Sequence, residues 1–299
     1  PCSGVSDRPV ISKSITPIPR PVAISMTLAR LRWKAAALTR GMEPSEDGLA
    51  ASVGAVCLAR MGFTRRAGER LSRWMGRIRR NGELPSGAPE DGALLAWAAS
   101  EYVRWTGEQG WLQEVEGPWI RLLDYLVEHV PEPGGTEIFG LDGSPVWSRI
   151  WRAAALLGGS TALRGVDASH DRWALAGGLA REELIGMLGE GPWTACPTRA
   201  PDGSSAALLV APWVGLVPLE NPGVSRTIAY IASHYWHGGG VLLHGGAHTA
   251  ATAIYEGVRS LKDPKVDAVA TLARLASGTS SLPTARHPER GAIGEGDDP

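Results

Sequence analysis

EDGALLAWAASEYVRWTGEQGWLQEVEGPWIRLLDYLVEH, residues 90–129, holds two helices of different character joined by a tight turn. Its first half is apolar on nearly every side, with Leu94, Leu95, Trp97, Ala98 and Ala99 in close succession. A helix apolar all round belongs in an interior. The second half is amphipathic: Trp119, Leu122, Leu123 and Leu126 recur at i, i+3, i+4 and i+7, and Arg121, Asp124 and Glu128 fall elsewhere. Thr106-Gly107 separates the two halves. The block therefore reads as a hairpin with a buried first helix and an outer second helix.

The same pattern recurs along the chain. An earlier unit opens at Glu46-Asp47-Gly48, runs to about Arg80 and breaks near Met61-Gly62-Phe63-Thr64, where Thr64 is expected to cap its second helix. A later unit opens at Asp142-Gly143-Ser144 and runs to about Leu188. The next opens at Asp202-Gly203-Ser204, breaks at Glu220-Asn221-Pro222 and reaches about Trp236. The last opens at Gly245-Gly246-Ala247, breaks at Lys262-Asp263-Pro264 and reaches about Ala276. A further helix is expected from Pro21 to Arg40, with Pro21 in its first turn and Gly41 as its stop. Units spaced about 35 to 55 residues apart are typical of helical repeats and toroids. One helix followed by five hairpins falls one helix short of a closed ring of six hairpins. The chain stops at Gly294-Glu295-Gly296-Asp297-Asp298-Pro299, where another Asp-rich turn would open an inner helix. The expected fold is thus all-α, an (α/α)6 toroid cut before its last helix, with an irregular segment over 1–20 and a single domain over 21–299. An open α-solenoid is the alternative that needs no closure.

Composition excludes several classes. With 43% hydrophobic and 20% charged residues the 299-residue chain can bury a core without staples. Its formal net charge of -1 gives no electrostatic reason to expect nucleic acid or an anionic membrane as partner. The most apolar run, Ala206 to Leu219, contains Pro212 and Pro218 and is short for a bilayer, so it reads as a buried helix. Two Phe, five Tyr and no long Val/Ile/Thr alternation leave little signal for strands. Cys2, Cys57 and Cys196 form no CxxC pair and read as reduced thiols, with Cys57 in the core, which points to a cytoplasmic site. Gly238-Gly239-Gly240 lacks the Lys and Ser/Thr of a phosphate loop, and no cofactor is expected.

The order of elements resembles the six-hairpin glycosidases, in particular the glucoamylase-like, family 15-like glycoside hydrolases. The resemblance is carried by Asp91-Gly92-Ala93-Leu94-Leu95-Ala96-Trp97 through Thr106-Gly107-Glu108-Gln109-Gly110-Trp111-Leu112. It continues in Ser205-Ala206-Ala207-Leu208-Leu209 through Pro218, Asn221-Pro222 and Gly238-Gly239-Gly240-Val241, and in Leu282-Pro283 before Gly291 and Gly294. It implies hydrolysis of an α-glucan or related oligosaccharide by two glutamates, one in the loop after the fifth helix and one after the eleventh. In inverting enzymes such a pair stands about 6.5–9.5 Å apart, leaving room for the attacking water.

Glu137 is then the candidate acid, flanked by Gly135 and by apolar Ile138 and Phe139, surroundings that favour a protonated carboxyl. The Trp that precedes the family's acid is absent, since Gly135-Thr136-Glu137 stands there. The place of the family's base holds Thr284, which leaves Glu295, or Glu289, as the candidate base. Asp47, Asp91, Asp142 and Asp202 each open an inner helix, where an acid suits the N-terminus. In a toroid they converge on one mouth as candidate substrate contacts, with Trp147 and Trp236 near the same ends. His234, His237, His244 and His248 have spacings that can ligate a metal, but no HExxH motif or Cys partner accompanies them, so no metal is expected. His244 and His248 are instead candidate contacts to sugar hydroxyls.

Three rival readings remain. Thr284 and the missing Trp favour a carbohydrate-binding or scaffold toroid that has lost its base. A polysaccharide lyase would need Tyr255 or His244 as base beside Arg259. A protein-binding solenoid would have no acidic mouth.

Overall fold

Hairpins of one buried and one amphipathic helix can hide their apolar faces by standing side by side in a ring. The computed structural model has this arrangement. It describes residues 48–85, 90–130, 144–164, 166–167, 169–195, 200–237, 240–243, 246–263, 265–268, 271, 285–287 and 291–292. The helix expected over 21–40 and the irregular segment 1–20 lie outside these residues.

The inner helices are α1 (Gly48–Arg60), α3 (Asp91–Thr106), α5 (Pro145–Ala162), the pair α7 (Ser205–Leu208) and α8 (Val210–Trp213), and α10 (Thr249–Lys262). The outer helices are α2 (Thr64–Met75), α4 (Gln109–Glu128), α6 (His170–Leu188) and α9 (Pro222–His234). Inner helices pack on inner helices, α1 on α3, α3 on α5, and α7 and α8 on α10, while α4 packs on α2 and α6 outside them. Residues 91–100 of α3 are all buried, as its composition demands. Buried residues from Ala51 to Val258 form one continuous core. The fold is an all-α toroid of helical hairpins.

Indoles fill the interior. Trp97 of α3 lies 5.1 Å from Trp151 of α5, and Trp151 lies 5.3 Å from Trp147, centroid to centroid. Polar bonds tie the outer layer to its neighbours. Trp111 Nε1 donates to Gly68 O and Ser72 Oγ, and Trp173 Nε1 donates to Asp124 Oδ1 at 2.9 Å. Arg152 reaches out of α5 to donate to the carbonyls of Leu126 and Val127 at 2.7 and 3.0 Å. These are last-turn carbonyls of α4 that lack helical partners, and a cation suits that end of the dipole. Burial pulls the Arg152 pKa below its usual value.

Three local expectations are corrected. The buried helix expected over 206–219 is two short pieces that part at Leu209. Pro212 cannot donate to the carbonyl of Leu208, and its ring crowds that carbonyl, so one helix cannot run through. Thr64 is the first residue of α2 and not its cap; Phe63 stands at the cap without a side-chain bond. Cys57 is exposed on α1 rather than in the core.

Strands occur that the sequence did not suggest. β1 (Trp236–His237), β2 (Gly240–Leu243), β3 (Gly246–His248), β4 (Ala285–His287) and β5 (Gly291–Ala292) pair antiparallel in chain order. Trp236 faces Val241, Leu242 faces Ala247, Ala247 faces Arg286, and Arg286 faces Ala292. The sheet links the end of α9 to the start of α10 and adds the last described strands of the chain beside it.

Candidate active site

The inner helices run in the same direction, because their C-terminal ends meet. Arg60 at the end of α1 bonds Glu101 in the last turns of α3 and lies over the ring of Trp213 at the end of α8. Their N-termini therefore share the opposite face, the mouth. Each turns its first-turn backbone N–H groups and the positive end of its dipole toward that face, which favours oxygen-rich and negatively charged groups.

Each described helix start is built differently. At α3, Glu90 occupies the cap position with none of its surface exposed, and Asp91 is 3% exposed in the first turn. Glu90 also accepts Leu94 N–H through its backbone carbonyl. At α5, Ser144 Oγ accepts from Trp147 N at 3.2 Å and donates to Ala195 O at 2.7 Å, and Pro145 fills the first helical position. Ahead of α7, the exposed Asp202 accepts from the backbone N–H of Ser204 at 2.8 Å and from its hydroxyl. At α10, the buried His248 caps the helix: Nδ1 accepts from Ala251 N at 3.2 Å. An accepting Nδ1 is unprotonated, so a neutral ring carries its hydrogen on Nε2. Thr252 Oγ1 donates to His248 O and accepts from Val241 N, which clamps β2 to the start of α10.

The sequence candidates divide accordingly. Asp91 is buried in the first turn of α3, and Asp202 is a turn residue on the surface ahead of α7. Trp147 is buried, with 1% of its surface exposed, so its ring belongs to the interior indole stack and not to an open sugar platform. Trp236 is half-buried, with its ring 5.3 Å from Tyr255 and the Arg259 guanidinium 5.9 Å away. His234 is an exposed residue stacked on Tyr230. Tyr255 and Arg259, the lyase candidates, are in contact at 5.3 Å, and Arg259 bonds the buried Glu256 at 2.6 Å. Glu137, Glu289, Glu295, Asp47, Asp142 and His244 lie outside the described residues. Their chain neighbours are informative all the same. The segment holding Glu137 leaves from the end of α4 and returns at Ser144. Glu289 lies between β4 and β5, and Glu295 follows β5.

Glu90 was missed. A buried carboxylate beside Asp91 at the mouth is a stronger chemical feature than any of the single Asp turns. The signal available was the pair Glu90-Asp91 just ahead of an all-apolar helix, which reads as an ordinary helix start until burial is known.

No family model matches the chain, and no curated protein matches its sequence. Among solved structures the chain is similar to a glycosidase variant, with a TM-score of 0.70 and 18% identity over 88% of this chain and 90% of that one. It is similar to the wild-type form of a glycosidase at a TM-score of 0.69 and 17% identity, over the same shares of both chains. A glycosidase variant in complex with glucose gives a TM-score of 0.68 at 17% identity, again over 88% and 90%. At such identity the likeness is one of fold, and the ring of hairpins described above is the fold of these glycosidases.

Proposed function

We propose that the protein is a glycoside hydrolase of the six-hairpin, glucoamylase-like kind, acting on an α-glucan or related oligosaccharide with inversion. One observation carries the reading. Candidate segments far apart in sequence, the one bounded by α4 and α5 and the one around β4 and β5, are both anchored at the mouth of a ring shared with glycosidases. In this reading Glu137 is the general acid and Glu295, or Glu289, the base that activates water from the opposite face of the sugar. Asp47, Asp91, Asp142, Asp202, Trp236, His244 and His248 hold hydroxyls around the subsite, and Trp147 backs it from the interior. Helix starts that combine acids with hydroxyls suit a neutral sugar, whose hydroxyl groups can donate to the one and accept from the other.

Thr284 at the family's base position and the absence of Trp before Glu137 favour a second reading, a carbohydrate-binding toroid without hydrolysis. One experiment separates them. The purified protein is incubated with α- and β-linked oligosaccharides, and NMR follows sugar release and the anomer first formed. The expected result is release from α-glucans with inversion, lost in Glu137→Gln. Glu295→Ala and Glu289→Ala identify the base: the true base variant falls by about 10³-fold or more and recovers as a glycosyl azide when azide replaces the carboxylate. No release from a folded, helical protein across the whole panel would move the assignment to the binding reading.

A further inference from the structure

At the floor of the ring, opposite the mouth, the C-terminal ends of the inner helices carry side chains that the chemistry proposed above does not use. Glu101 Oε2 accepts from Arg60 at 2.7 Å, from Arg104 at 2.6 Å and from Trp105 Nε1 at 3.3 Å. The Arg60 guanidinium lies 5.1 Å from the centre of the Trp105 ring and 5.8 Å from that of Trp213. Arg60, Trp97, Glu101, Arg104, Trp213 and Val214 line a recess of about 160 Å³. Trp105 stands beside it, outside the lining, with the Arg60 and Arg104 guanidinium groups 5.1 and 5.7 Å from its ring centre. Trp105 and Trp213 are 53% and 44% exposed, although the other indoles of α3 and α5 are buried.

Single exposed apolar residues need no explanation, but large ones gathered at a concave, polar-edged spot mark a binding site. The chemistry narrows the ligand. Exposed indole faces suit the C–H face of a pyranose. Two guanidinium groups share one carboxylate oxygen in a charge-assisted network, and each has further N–H groups beyond that bond to offer to hydroxyls. Glu101 offsets one of the two cations, so the site is poor for a multiply charged anion. The recess takes a ring and not a protein helix. The 16 residues of α3 span about 24 Å, so a short oligosaccharide bound at the floor does not reach the mouth.

We propose that the floor is a second carbohydrate-binding site, with one sugar unit in the recess against Trp213, its hydroxyls taken by Arg60, Arg104 and Glu101, and the next unit outside the recess beside Trp105. It rests on the reading of the protein as one that handles oligosaccharides, but it is read out without hydrolysis. The test labels the whole protein with 5-fluorotryptophan and assigns the Trp105 and Trp213 resonances by substitution. It then titrates maltoheptaose and, separately, cellohexaose, following ¹⁹F NMR. Both resonances are expected to move in one saturable titration with at least one of the sugars. Trp213→Ala should weaken the response of Trp105 by about 10-fold or more, with unchanged far-UV circular dichroism and unfolding midpoint. Silence of both rings to millimolar concentrations of both sugars would overturn the floor site, whatever the hydrolysis assay gives. So would a Trp105 response that survives Trp213→Ala at full affinity. Hydrolysis without floor binding leaves the mouth assignment standing alone; floor binding without hydrolysis leaves the floor site standing on a binding toroid.

Discussion

Buried indoles differ in what they do with the N–H, and stability should follow that difference. Trp119 and Trp173 both have no exposed surface. Trp173 donates to Asp124, which also takes Arg172 at 3.5 Å. Trp119 Nε1 is buried without a hydrogen-bond partner. Phenylalanine removes the N–H and some volume in both, but only at position 173 does it also strip a carboxylate of a donor. Trp173→Phe should therefore destabilise by about 1–2 kcal/mol more than Trp119→Phe in urea unfolding. Equal losses would mean that volume alone decides. A second contrast concerns charge. Asp167 accepts from the Ser169 hydroxyl and its backbone N–H, the latter at 2.6 Å, just ahead of α6, and these bonds hold its carboxyl below the usual Asp range. A depressed carboxylate pKa means that the unfolded chain takes up a proton first as pH falls. The stabilisation is present above the ordinary Asp value and is lost as pH drops through the folded one. Asp167→Asn should be the less stable protein at neutral pH, and the gap should narrow as pH falls below the ordinary Asp value of about 3.9. A gap independent of pH would assign it to packing.

Adjacent glycines of α6 show how an element meets its neighbour. A Cβ on Gly177 would stand 2.9 Å from Leu157 Cγ and 3.0 Å from its backbone nitrogen, whereas one on Gly178 would meet nothing within 4 Å. α6 packs on α5 through this close approach. Gly178→Ala should stabilise by about 0.5–1 kcal/mol by stiffening a half-buried helical position that has room for the methyl group. Gly177→Ala should destabilise, because the backbone of α5 cannot give way as a side chain would. Thermal unfolding of the two variants checks the opposite signs. What the sequence reveals at this scale depends on length. The hairpin of α3 and α4 was legible because sixteen and twenty residues repeat a period several times over. The strands were not, since β1 to β5 are two to four residues long and rich in glycine, too short for alternation to register. The α7–α8 break was legible in Pro212, but the apolar run around it masked the signal. At the site, Asp91 and Asp202 were legible as helix openers, whereas the burial of Glu90 and Trp147 depends on what the ring stacks above them.

The whole ring decides which distant residues share a face. Every described inner helix starts at the mouth, and the sheet brings β4 beside β3, whose last residue, His248, caps α10. Residues more than a hundred positions apart thus gather where α3, α5 and α10 begin. Both candidate bases are attached to that added sheet, Glu289 between β4 and β5 and Glu295 beyond β5. Removing residues 284–299 would leave one edge of β3 unpaired and take both glutamates away, while every described helix keeps its own hydrogen bonds and its partners. The shortened protein should keep its far-UV helical signal. Its melting point should fall by only a few degrees, as expected for a loss of about 1–2 kcal/mol in a domain of this size. Hydrolysis should vanish with the base, while binding at the floor, anchored on α1, α3 and α8, persists. Retained hydrolysis in the shortened protein would eliminate Glu289 and Glu295 together and turn the search for the base to Glu90 and Asp91. Loss of the helical signal would instead show that the strands help to hold the ring together.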